Sequence, residues 1–108
     1  MKSKIYQHER ARRDIIEHFV YLSENAGFVV AERFLTNTEV SFNEMAFNPL
    51  IGSPLAMKNQ KLAEIRKWHV KDFDNILIFY IPRHDGVSVV RVLHAAQDWW
   101  SLLDSTTT

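Results

Sequence analysis

The chain has no cysteine in its 108 residues, which excludes a disulfide framework and a thiolate zinc site and agrees with a reducing, cytoplasmic setting. Its formal charge sums to zero, 13 basic against 13 acidic residues, so the basic excess of a typical nucleic-acid binder is missing. Direct sequence-specific nucleic-acid binding is therefore not expected. No window approaches the roughly 20 consecutive apolar residues of a membrane span. Met1-Lys2-Ser3-Lys4-Ile5 leads into charge rather than into an apolar signal core, so no membrane contact is expected either. There is no repeat, no low-complexity segment and no domain boundary.

What is present is an ordinary globular composition, 46% hydrophobic and 24% charged. A chain of this length makes one domain, read here as residues 1–104, with 105–108 a frayed tail. Lys4 to His8 reads as a short strand around Ile5 and Tyr6. From Glu9, Ala11, Ile15, Phe19, Leu22 and Ala26 recur at spacings of three and four, the period of a helix. On that reading Arg10/Asp14 and Arg13/Glu17 are opposite-charge pairs on the outer face. Gly27 stops the helix. A second follows, with Ala31, Phe34, Leu35, Thr38, Phe42, Met45 and Ala46 on one face, and ends before Pro49. The short connection makes the two an antiparallel hairpin.

Pro49, Gly52 and Pro54 make residues 48–60 a loop. Strands are expected near 63–70, 75–82 and 87–94, with turns at Asp72–Asn75 and at Arg83-His84-Asp85-Gly86. Turns this short force antiparallel neighbours. Ile76 to Ile81 is apolar on both faces and so is the central strand. A short helix over about 97–103 follows. The fold class is α/β, more closely α+β: a β-α-α-β-β-β-α order in which the helical hairpin packs on one face of a mainly antiparallel sheet. The other face is left to the last helix and to a partner.

Several residues are not explained by that scaffold. From Lys58 to Lys71, Lys58, Lys61, Arg66, Lys67 and Lys71 face a single carboxylate, Glu64. Lysines there suit a strand edge guarded against aggregation. Arginines inside strands, Arg66 and Arg91, are less easily idle: each needs a carboxylate such as Glu64 or Asp98, or a contact on a partner. His94 stands three residues after Arg91, so the two side chains start on opposite faces unless the strand twists or bulges. An acid–base role for His94, with Arg66 and Arg91 holding a phosphate, is the alternative catalytic reading. His8, His18, His69 and His84 make no ligand spacing, so no metal or other cofactor is expected. Of Trp68, Trp99 and Trp100, Trp68 reads as core, and one of the adjacent pair must reach a partner surface.

The order of elements, with Asn48-Pro49-Leu50-Ile51-Gly52, Arg66 to Val70, Leu77-Ile78-Phe79-Tyr80, Arg91-Val92-Leu93-His94 and Gln97-Asp98-Trp99, resembles the RelE/ParE toxin superfamily of bacterial type II toxin–antitoxin systems. It is most similar to the ParE-like, plasmid-stabilisation branch. The resemblance implies neutralisation by a cognate antitoxin that wraps the toxin with a helix and an added strand. It also implies inhibition of DNA gyrase by binding rather than by catalysis. Arg66, Arg91, Trp99 and Trp100 are then the candidate target or antitoxin contacts. The superfamily's other activity, ribosome-dependent mRNA cleavage, is the alternative, as is an inactive relative that only binds antitoxin. Neutral charge and the lack of a compact His/Glu/Lys/Tyr constellation favour the gyrase reading.

Overall fold

The structure, a computed structural model, describes residues 3–55, 58 and 60–106. Strand β1 (Lys4–Gln7) leads into α1 (Glu9–Asn25) and α2 (Phe28–Phe47). A two-residue strand β2 (Ser53–Pro54) and a short 3-10 turn (Gln60–Leu62) precede β3 (Arg66–Val70), β4 (Phe73–Arg83), β5 (Gly86–His94) and α3 (Trp99–Thr106). The sheet order is β1-β5-β4-β3-β2. All neighbours are antiparallel except β1, which runs parallel to β5. The helical hairpin, the central β4 and the three-strand meander are as the sequence pattern implied.

Four expectations are corrected. The loop after α2 is not free of regular structure, because Ser53 and Pro54 pair with Lys67 and Arg66 and extend the sheet. Strand β3 starts at Arg66, since Gln60–Leu62 turns and Ile65 is still closing that turn on Leu62. The first β-turn is tighter than expected: Val70 pairs with Phe73, and Asp72 takes φ 65°. The last helix begins at Trp99 and continues to Thr106, so Ser105 and Thr106 are helical, while 107–108 lie outside the described residues.

Alternation along β4 divides the core in two. Ile76, Ile78 and Tyr80 face the hairpin with Val70, Val87, Val89 and Val92, under Ala11, Phe34, Phe42, Met45 and Ala46. Leu77 and Phe79 face the other way with Val90 and Leu93. That second face is closed within the chain, because Leu62, Ile65 and Leu103 seal it. It is less open to a partner than the sequence suggested. A register shift at Phe79/Tyr80, where Tyr80 pairs with Val89 and Phe79 with Arg91, leaves Val90 as the extra residue and re-phases β5. Most of the exposed apolar residues lie instead on the helical hairpin, among them Ile16, Val20, Phe28, Val29, Val40 and Phe47, with Leu50 and Trp100 outside it.

Candidate functional site

Helix α1 lies along β5 where β1 has ended. Asp14, expected on the outer face with Arg10, is buried, and its partner is Arg91. The carboxylate takes two hydrogen bonds from the guanidinium, from Nε at 2.7 Å and from Nη2 at 3.0 Å, with both side chains 4% exposed. It also accepts from the Val92 N–H at 3.0 Å. One turn later, His18 Nε2 lies 2.8 Å from the Val92 carbonyl. Two side chains four residues apart thus bond to both polar groups of one β5 residue, as a neighbouring strand would. The partner expected for Arg91, Glu64 or Asp98, is corrected accordingly. The signal for Asp14 was legible in outline: residues 11, 14, 15, 18 and 22 share one helical face.

Beside this pair lies a cleft of about 380 Å³, lined among others by Arg10, Glu17, Tyr21, His94 and Gln97. His94 is half-buried at its rim, and its Nδ1 accepts from the Ala96 N–H at 3.0 Å. The other ring nitrogen of a neutral imidazole then carries the proton. Arg91 and His94 therefore line one cavity even though strand alternation starts them on opposite faces.

Arg66 is elsewhere. It sits on β3, half-buried, and donates to the carbonyls of Gly52 at 2.6 Å and Leu50 at 3.2 Å. Tyr80 completes the clasp: its hydroxyl donates to the Pro49 carbonyl and accepts from the Gly52 N–H, both at 2.8 Å. Burial raises the Tyr80 pKa, against the opposing pull of the Gly52 N–H and the Arg66 charge. A Cβ on Gly52 would stand 2.8 Å from the Lys67 carbonyl and from the Tyr80 ring. The 48–52 segment and the Arg66 and Tyr80 strands thus form one fixture. Nothing in the sequence marks Tyr80, because a tyrosine in a buried strand gives no sign of what its hydroxyl holds.

Trp99 and Trp100 are stacked, with ring centroids 4.3 Å apart, and Trp99 in turn lies on Phe79 at 5.3 Å. Lys67 Nζ stands 5.5 Å from the Trp99 ring. Trp100 is 48% exposed and ends the stack at solvent. Trp68 is half-buried against the hairpin core. The structure thus joins Arg91 with His94 and Trp99 with Trp100, and holds Arg66 apart from both pairs. Among the described residues no His/Asp/Glu group is arranged to hold a metal ion.

Among the described residues, three helices and a five-strand mixed sheet, with the helical hairpin clamped to the sheet by such pairs, define an α+β domain. The family model for the ParE toxin of type II toxin–antitoxin system, parDE, matches residues 5–99. The chain belongs to that family. A solved structure of the chromosomal ParDE TA system from P. aeruginosa shares the fold at 10% identity, with a TM-score of 0.68 over 87% of this chain and 96% of that one. No curated protein matches the sequence.

Proposed function

We propose that this chain is a gyrase-poisoning toxin of the bacterial cytoplasm, held inactive by a cognate antitoxin. The family match over residues 5–99 carries the reading. The geometry supports binding over catalysis. Arg91 is engaged by Asp14 and Arg66 by the 48–52 loop, so both guanidiniums hold the fold together rather than converge on a substrate. Both then act on target or antitoxin contact through the shape they maintain. Trp100, exposed at the end of its stack, is the side chain best placed to touch a partner directly.

Purified protein should inhibit gyrase supercoiling and trap cleaved DNA, and its induction should filament cells. Addition of the antitoxin encoded beside it should reverse both effects. Loss of mRNA cut within codons, with supercoiling untouched, would move the assignment to the ribosomal branch, for which Arg91 and His94 in one cleft are the available residues.

A further inference from the structure

Helix α1 presents a row of four side chains to solvent. Arg12, Ile16, Val20 and Glu24 recur at every fourth position, opposite the face that carries Ala11, Asp14 and His18. All four are exposed, Ile16 at 56% and Val20 at 48%. Phe28, also exposed, stands edge-on to Phe19 and widens the apolar strip. Among the described residues neither Arg12 nor Glu24 makes an ion pair within the chain. The two charges also stand at the wrong ends of their helix. The helix dipole favours an anion near the N-terminus and a cation near the C-terminus. Arg12 instead lies near the start of α1, and Glu24 lies in its last turn, which holds no basic residue.

The row reads cation, apolar, apolar, anion, so turned end for end it complements itself. Rows of side chains four apart are the ridges by which two helices most often interlock, crossing at about −50°. Place a two-fold axis midway between Ile16 and Val20. Ile16 of each copy then meets Val20 of the other, and Arg12 of each meets Glu24 of the other. A parallel pairing would set Arg12 on Arg12 and Glu24 on Glu24, so the charges select the antiparallel one. We infer that two copies of this chain associate through α1 as a two-fold dimer, with an Ile16–Val20 centre and an Arg12–Glu24 ion pair at each end. The inference stands apart from the gyrase and antitoxin readings and needs neither. A second copy is chosen because a foreign surface has no reason to carry the same pattern in reverse order. The patch is small beside the roughly 800 Å² per partner of a standard interface, so the dimer is weak and depends on concentration.

Sedimentation velocity on the purified chain, over a wide range of concentration, tests this. The wild-type mass should rise from one chain towards two. Arg12→Glu and Glu24→Arg each set like charges against one another at both ends, and each should weaken the dimer at least tenfold. Mixed together, the two variants should restore it, because each then meets its opposite. Both substitutions agree with the helix dipole, so the circular dichroism should be unchanged and Tm should not fall. Ile16→Asp should abolish association. A wild-type chain that stays monomeric at every concentration overturns the inference. So does a dimer that the charge reversals leave untouched, or one that mixing fails to restore. A monomeric wild-type chain whose complex with the product of the adjacent open reading frame is weakened by Ile16→Asp gives the row to the antitoxin instead, and the inference falls.

Discussion

Asp14 and Arg91 are worth more as a pair than either is alone. Removing one partner leaves an uncompensated charge in the core, which typically costs about 3–5 kcal/mol, whereas removing both leaves none. Asp14→Ala and Arg91→Ala should each lower the urea midpoint strongly, and the double variant should be no worse than the worse single one. Additive losses would show that the two act independently. It follows that Arg91→Ala should lose toxicity through the fold. His94→Ala, at a half-buried strand end, should change neither stability nor toxicity appreciably. A second residue-scale effect lies at the surface. The Tyr6 hydroxyl hydrogen-bonds Asp85 at 2.7 Å and is the main cause of that carboxyl's lowered pKa. A depressed carboxyl pKa contributes stability above the ordinary carboxylate range and loses it as pH falls through the lowered value. Tyr6→Phe should therefore raise the Asp85 pKa in an NMR titration and flatten the acid limb of the stability curve.

At the scale of elements, the loop clasp carries the clearest expectation. Tyr80→Phe strands a buried Gly52 N–H and the Pro49 carbonyl, a loss of about 1–3 kcal/mol. Gly52→Ala pushes a methyl against the Lys67 carbonyl and the Tyr80 ring, with a cost of similar size, about 1–3 kcal/mol. Thermal unfolding should show both, and the Tyr80→Phe midpoint should fall even though its ring stays in place. The elements themselves were largely legible in the chain. The helical spacing from Ala11 to Leu22, Gly27 between the helices, and the Asp85-Gly86 turn each gave the right element. Strand β2 was not legible, because Pro54 reads as a breaker and what holds that loop in the sheet is its pairing with Lys67 and Arg66 together with the Arg66 and Tyr80 hydrogen bonds across the fold. The role of Gly86 was half legible. It marks the hairpin, but its φ of 155° and the absence of a side chain also let the Lys4 backbone come against it. The site was least legible, since both arginines were visible in the sequence while their partners stand 77 residues from one and 14 to 16 from the other.

For the whole molecule, closure of both sheet faces implies a free toxin that folds by itself, so a partner adds stability without being required for structure. An antitoxin present at a hundred times its Kd should stabilise the toxin by about 2.7 kcal/mol, read as a concentration-dependent rise in Tm. A Tm indifferent to antitoxin would argue that the exposed apolar residues of the hairpin serve another contact. The connectivity has a further consequence for synthesis. The strand made first, β1, closes only on β5, and Asp14 waits for Arg91. A nascent chain that has released its first eighty residues still has a loose N-terminus and an unmatched carboxylate, and the longest loop in the fold is the last to shut. The complete sheet of this chain can thus close only when translation is nearly over.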